Sequence, residues 1–463
     1  MTAAWSRRRQ GGRMAAAVTA IVLVASACSG GGGTASPSTA PSGGTTSPSA
    51  AGGSASPTQA AAPVTLTIWS PENRPDDATA HQWLIQQFEA ANPNIVVQVT
   101  TTSWDAHFAK LDAAKAAGNL PDIVYTWQPN TAALMAKGML ADVTDVYNAL
   151  GPDNFPAGER QVLSADGKMY AIPFIGYPHA LWYRKDWFSQ AGLQPPQSWD
   201  DILTAAKALT NKDHFGICLF DKGLDAYYVT DLMLAAGAQA FDAQGNVTIN
   251  SPATIKVLSF IKTINDQQLT PAGWTAMNMD DAKLPFIAGK CAMKIDSASF
   301  LGALQQNNPD LLAKVGVVPI PLNGGQYAGW AGTSQYAITA ASPHQAEAKK
   351  FLEFMFQAQN YAGFIGREVL GFQPEYKPVA DSTGFYNQSR IQPLADIYKG
   401  AAAAAATGYA GPTYGSSSVS KQNSLVYNQQ VYSDMGARIE QGQSPAAVAT
   451  WAAQRIAELV KGG

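Results

Sequence analysis

Val64-Thr65-Leu66-Thr67-Ile68-Trp69 begins the stretch that decides the fold, and Leu120-Pro121-Asp122-Ile123-Val124-Tyr125 closes it. Both segments are rich in β-branched and aromatic residues and predict strands, as does Ile95 to Thr100 between them. The spacing of Trp83, Leu84, Phe88 and Ala91 predicts a helix over 78–91, stopped by Asn92-Pro93. Phe108, Leu111 and Ala114 predict a second helix over 105–117, ended by Gly118. Strand, helix, strand, helix, strand requires a parallel sheet with crossover helices. Ligands of such sheets sit beyond the strands' carboxyl ends. At that edge the chain places Trp69 to Asn73, Ser103-Trp104 and Thr126-Trp127-Gln128, so three successive loops each carry a tryptophan.

Downstream the pattern continues in shorter pieces. Strands are expected at 168–173 and 180–183, at 216–220, at 291–295, at 315–319 and at 336–339. Ser198-Trp199-Asp200-Asp201 has the form of a capping box and opens a helix to about Leu209. Ser251-Pro252 starts another, with proline at the first helical position, running to about Gln267. Helices are also expected over 226–236, through the alanine run 401–406, and over 445–460.

Composition bounds the function. The chain has 463 residues, enough for two or more domains. Its 31 Lys and Arg against 34 Asp and Glu give no electrostatic drive toward nucleic acid, so no nucleic-acid partner is expected. Charged residues are only 14%, against about 25% on average, and favour neutral or polar partners. Three cysteines make no disulfide framework.

Arg7, Arg8, Arg9 and Arg13 precede an apolar run from Met14 to Ala27, too short to span a bilayer and placed as a secretory h-region. Val24-Ala25-Ser26-Ala27-Cys28 resembles a bacterial lipobox, with Ala25 standing where a larger aliphatic residue is usual. The expectation is a lipoprotein signal peptide over 1–28, with Cys28 carrying the lipid; the alternative is an ordinary cleaved signal. The arginines leave general and twin-arginine export both open. Residues 29–63, almost wholly Gly, Ser, Thr, Pro and Ala, cannot bury enough apolar surface to order, and are expected to be a disordered linker.

The remaining segments resemble extracellular solute-binding protein family 1, the maltose-binding-like lipoproteins of ABC importers. The resemblance is carried by Leu66-Thr67-Ile68-Trp69, Gly118-Asn119-Leu120-Pro121-Asp122-Ile123, Lys137-Gly138-Met139-Leu140 and Tyr170-Ala171-Ile172-Pro173. It continues in Trp182-Tyr183-Arg184-Lys185-Asp186-Trp187-Phe188, Pro195-Pro196-Gln197-Ser198-Trp199-Asp200, Phe286-Ile287-Ala288-Gly289-Lys290 and Gly329-Trp330-Ala331-Gly332. Singly these are weak; in this order behind a lipoprotein signal they are specific. The resemblance implies an α/β, two-lobed, periplasmic-binding-protein-like fold, each lobe a mainly parallel sheet flanked by helices, with the ligand cleft at the hinge. Lobe 1 is expected at 64–177 with a returning segment at about 332–377, and lobe 2 at 178–330 with much of 378–463. It further implies capture of a carbohydrate outside the membrane, delivery to ABC permease subunits, a lipid-anchored monomer, and no cofactor or metal. Polyols and glycerol phosphate esters are alternative cargoes within the family.

A sugar needs aromatic platforms flanked by carboxylates, amides and guanidinium groups. At the family's ligand-facing positions the sequence offers Trp69, Glu72, Asn73, Arg74, Trp104, Trp127, Gln128 and Tyr177 from the first lobe and crossing. From the second it offers Asp225, Tyr227, Tyr228, Asp296, Ser297 and Ser299, then Trp330 and Gly332 at another crossing, and Tyr409 and Tyr414 in a glycine-rich loop. Each tryptophan is as readily core as platform, and Asp225 and Asp296 are as readily caps as contacts. Trp83, Trp187, Trp199, Trp274 and Trp451, on helices or caps, are expected to pack, as is Trp182 in mid-strand. Asp122 is expected to brace a strand and Asp186 to close a turn. Cys218 and Cys291, both near strands of the second lobe, either pair in an oxidising exterior or are buried small hydrophobes. A secreted glycosidase remains an alternative, since two distant carboxylates leave no motif. No G-x-S-x-G, H-E-x-x-H, C-x-x-C or G-x-x-x-x-G-K occurs, and the five histidines lack metal spacing.

Overall fold

The computed structural model describes residues 63–222, 226–405 and 417–462. Cys28, the signal segment, the linker up to residue 62, Asp225, Tyr409 and Tyr414 lie outside the described residues. The fold is that of the compact unit Ala61–Gly463.

Among the described residues eleven strands appear in chain order: β1 (Val64–Ser70), β2 (Ile95–Thr101), β3 (Ile123–Trp127), β4 (Ser164–Ala165), β5 (Lys168–Met169), β6 (Ile172–Arg184), β7 (Phe215–Ile217), β8 (Cys291–Ser297), β9 (Val315–Val318), β10 (Ala331–Ile338) and β11 (Gln373–Pro374). The opening βαβαβ reading holds: β1 pairs in parallel with both β2 and β3. In β1, Leu66 and Ile68 point inward and are fully buried while their neighbours are partly exposed. The first crossover helix is Pro75–Ala91, starting at a proline tolerated there because its missing N–H would be unpaired anyway. The second, Trp104–Ala117, ends on Gly118 at φ 70°, a left-handed cap suited to glycine. Asp122 braces this sheet: one oxygen accepts from Thr67 N at 2.8 Å and Thr67 Oγ1 at 2.9 Å, the other from Ser342 Oγ at 2.6 Å.

The structure corrects the expectation of separate strands at 168–173 and 180–183. Lys168–Met169 instead turns back on Ser164–Ala165 as a two-stranded hairpin. The next strand, β6, runs unbroken for 13 residues. Its first half pairs with β10, from Ile172↔Tyr336 to Pro178↔Ala331. Its second half pairs with β8, from His179↔Ser297 to Tyr183↔Met293, and with β9. Pro178 within β6 lacks an N–H and so falls where the partner strand changes, the position at which the ladder can spare a donor. The resulting order is β2-β1-β3-β10-β6-β8-β7, with β9 and β11 also on β6. Both crossing strands, β6 and β10, thus belong to one sheet that serves two lobes.

Other expectations shift by a few residues. The strand expected at 216–220 is Phe215–Ile217, and the one at 336–339 is the end of the longer Ala331–Ile338. The cap at Ser198 forms, accepting from Asp201 N at 3.1 Å, and Ser251 accepts from Thr254 N at 3.2 Å. Buried apolar side chains fall into two clusters. One is built mainly on 66–175 and 336–398 and includes Trp182; the other gathers 181–293 and the helices over 426–456. Trp182, Trp199 and Trp274 are buried, and Trp83, Trp187 and Trp451 lie under the guanidinium groups of Arg367, Arg184 and Arg438. A disulfide joins Cys218 to Cys291, Cα atoms 5.6 Å apart, tying the end of β7 to the start of β8.

Candidate functional site

The carboxyl ends of β2 and β3 and the crossing strands bring aromatic rings from distant segments into one chain of contacts. Trp104, at the start of its helix and 36% exposed, meets the edge of Trp127 at 6.0 Å. Trp127 ends β3, yet it packs into the second apolar cluster, 5.1 Å from Trp330 and 5.7 Å from Tyr427. Trp330, just before β10, then meets Tyr177 at 6.1 Å, Tyr227 at 5.7 Å and His179 at 5.1 Å. Tyr177 continues to Phe372 at 6.2 Å, over which the Arg74 guanidinium lies at 5.4 Å. Edge-on and tilted geometry is the favoured arrangement for such rings. Gly332 is required at its place: a Cβ there would stand 2.3 Å from the Tyr177 ring.

Several polar atoms in this run lack partners. The indole Nε1 of Trp127 and of Trp330 and Nε2 of His179 are buried without a hydrogen bond among the described residues. Buried polar groups are nearly always paired, so three such atoms in neighbouring rings set this run apart.

Charged groups gather at the same edge. Glu72, 5% exposed, pairs with Arg74. Burial pushes its carboxyl up to about 7 against the pull of Arg74, with Asp77 adding repulsion and Lys283 attraction. Burial opposes the charge on Arg74 as well, but Glu72 and Asp77 outweigh it and hold the guanidinium above its ordinary value. Glu368 beside Asp77 is raised by burial and by that neighbour. Beneath the crossing strands, Glu159 is fully buried and accepts from Thr333 Oγ1 at 2.7 Å and Gln128 Nε2 at 3.4 Å. Burial outweighs those donors and lifts its carboxyl to about 7. Glu375, lifted to about 8 by burial and by Glu159, lies over the crossing where Gly176 leaves room; a Cβ there would be 2.0 Å from Glu375 Oε1.

Of the residues singled out in the sequence, Glu72, Arg74, Trp104, Trp127, Tyr177, Tyr227, Trp330 and Gly332 are brought together here. Gln128 donates from Nε2 to Glu159 Oε1 at 3.4 Å. Trp69 packs against the first apolar cluster, and Asn73 is exposed with its amide 3.4 Å from Thr102 O. Tyr228 is spent inside the second lobe, its hydroxyl donating to Cys218 O and accepting from Ile295 N at 2.7 Å. Asp296 is wholly buried, 3.4 Å from Lys294 Nζ, and accepts from Ser297 N at 2.7 Å. Ser297 and Ser299 bond to each other at 2.7 Å. Sequence reasoning passed over His179, Asp231, Glu159, Phe372, Glu375 and Tyr427. Only His179 carried a signal, its place directly after Tyr177-Pro178. Among the described residues no group of three or more His, Cys, Asp or Glu could hold a metal ion.

Two α/β lobes sharing crossing strands and meeting through aromatic rings define a hinged binding protein. The chain belongs to the bacterial extracellular solute-binding protein family, whose profile matches residues 71–362. Members of that family are extracytoplasmic, non-enzymatic components of ABC transport, which removes the glycosidase alternative. YcjN of Escherichia coli (strain K12), a candidate ABC transporter periplasmic-binding protein, is 28% identical over 327 residues, covering 68% of this chain and 74% of its own. The multiple sugar-binding protein of Streptococcus mutans is 24% identical, covering 69% of this chain and 76% of its own. Among solved structures, the solute-binding protein of Thermotoga lettingae bound with alpha-D-tagatose superposes with TM-score 0.72 at 20% identity, over 86% of this chain and 99% of that one. That superposition shows the two-lobed fold.

Proposed function

We propose that this protein captures a neutral carbohydrate, a sugar or oligosaccharide, between its lobes and delivers it to an ABC permease. The observation that carries the reading is the run Trp104, Trp127, Trp330, Tyr177, which crosses from lobe to lobe with two buried indole N–H groups that have no partner among the described residues. Flat rings cover the C–H faces of a pyranose while N–H groups and carboxyls meet its hydroxyls. A solute touching both lobes binds the closed form better than the open one and shifts the population toward it. A polyol fits the same chemistry, and the mannitol-binding protein of Pseudomonas aeruginosa is 28% identical over 254 residues, 53% of this chain and 57% of its own.

The lobe limits follow the crossing strands: 64–177 with about 332–377, and 178–330 with much of 378–463. The protein is anchored, as a monomer, outside the cytoplasmic membrane by lipid on Cys28. The lipobox-like segment supports this, as does 25% identity over 314 residues to a lipoprotein of Streptomyces antibioticus. Incorporation of labelled fatty acid, lost in Cys28→Ser, tests the anchor. Thermal-shift screening against saccharides, polyols and sn-glycerol 3-phosphate tests the cargo, because a ligand raises the melting temperature by mass action. Stabilisation by the phosphate ester alone would refute the carbohydrate reading.

A further inference from the structure

His179 stands where β6 leaves one lobe for the other, 1% exposed. Its imidazole is pinned on three sides. Nδ1 lies 2.8 Å from Asp231 Oδ2, the ring edge meets Tyr227 at 4.3 Å, and Trp330 stands at 5.1 Å. The backbone locks the same corner, since His179 N donates to Trp330 O at 2.8 Å. Asp231, fully buried on the helix Tyr227–Ala236, uses its other oxygen to accept from Trp330 N at 2.8 Å. A carboxylate only accepts, so the contact puts a proton on Nδ1, and in the neutral form of the ring Nε2 then presents a lone pair. Nε2 has no partner among the described residues, and neither has Nε1 of Trp330 or of Trp127.

We propose that His179 Nε2 is a specificity-determining acceptor, fixed in its tautomer by Asp231, that takes the hydrogen of a ligand hydroxyl while the indole N–H groups of Trp330 and Trp127 donate to ligand oxygens. This rests on the carbohydrate reading and narrows it. The solute must offer free hydroxyl hydrogens as well as acceptor oxygens, which a sugar or polyol does and a methylated or fully ionised analogue does not. Asp231 is a positioning residue: it orients the ring and ties it to Trp330, so both polar atoms keep their place when the lobes move. A site that hydrogen-bonds a hydroxyl discriminates strongly against an analogue lacking it, because the buried group is then left bare.

The test uses the full chain in detergent with maltose, D-mannitol and D-tagatose as probes, read by thermal shift and calorimetry. For the best-binding probe, His179→Phe keeps an aromatic ring without the acceptor and is expected to weaken affinity at least roughly tenfold. His179→Gln, whose amide reaches the Nε2 position, is expected to recover part of it. The readout that a purely structural histidine would not move is the ¹⁵N resonance of Nε2, which should start as an unprotonated nitrogen and shift upfield when the probe saturates the site. If a probe stabilises the wild type while His179→Phe binds it within about twofold, or the Nε2 signal stays put at saturation, the acceptor role is wrong and the carbohydrate reading stands. If no probe stabilises the wild type, the carbohydrate reading fails and takes this proposal with it. Should His179→Phe fail to fold, the wild-type ¹⁵N titration and His179→Gln decide alone.

Discussion

Replacing Glu159 by Gln is expected to stabilise the protein in mild alkali and to do little in mild acid. Glu159 is fully buried under the crossing strands, and burial raises its carboxyl from 4.5 to about 7. The folded state therefore holds a proton that the unfolded chain releases between those values. A raised carboxyl contributes its full share of stability below the unfolded value and loses it as pH rises through about 7. The loss by about pH 8 is roughly 3 kcal/mol, since each pH unit between the two values is worth about 1.4 kcal/mol. In a folded body of about 400 residues this is a change of roughly 3–4 °C in melting temperature. Gln carries no charge, and its carbonyl can accept from Thr333 and Gln128 as the acid form does, its amide taking the place of the oxygen 3.5 Å from Gln335 Nε2. It also removes the repulsion that helps hold Glu375 at about 8. The assay is thermal and urea unfolding of both proteins at about pH 5 and about pH 8, read as midpoints because two lobes need not unfold together. Equal differences at the two pH values, or a variant less stable than wild type at the higher one, would refute the reasoning.

Three further outcomes are expected. Asp122→Ala strips the partner from half-buried Thr67 N and from buried Ser342, and should cost about 2–4 kcal/mol, seen as a lower urea midpoint with saccharide binding retained. Asp296→Asn removes the charge 3.4 Å from buried Lys294 Nζ and should lower the melting temperature without altering the saccharide-induced shift; a lost shift would return Asp296 to the candidate site. Reducing the Cys218–Cys291 disulfide, which closes a separation of 73 residues, should lower stability by about 2–4 kcal/mol, and a thiol titration after denaturation without reductant should find neither sulfur free.

Much of the first lobe was legible because its signals are local. Alternation in Leu66 and Ile68, the stop at Asn92-Pro93 and the glycine at 118 are each settled within a few residues of themselves. Trp182 as core and Asp122 as brace were legible for a related reason, since mid-strand apolar residues and carboxylates beside a strand end have few other uses. The single strand through 172–184 was not. Pro173 and Gly176-Tyr177-Pro178 read as breaks, yet β10 supplies partners at the first half and β8 at the second, so the ladder continues where local chemistry said it should stop.

The site divides along the same line. The sequence alone determined that tryptophans and polar groups stand at the ends of parallel strands, because period and turn chemistry are written in neighbouring residues. It did not separate Trp127, which reaches Trp330 and Tyr427, from Trp69, which packs into its own lobe; both simply follow a strand. Nor did it show that Asp296 answers a buried lysine, or that His179 is held by a carboxylate 52 residues away which also grips the backbone 99 residues beyond. Those pairings arise only when the lobes pack, because burial removes water as a competing partner and makes proximity in space, rather than in the chain, decide which polar groups satisfy each other.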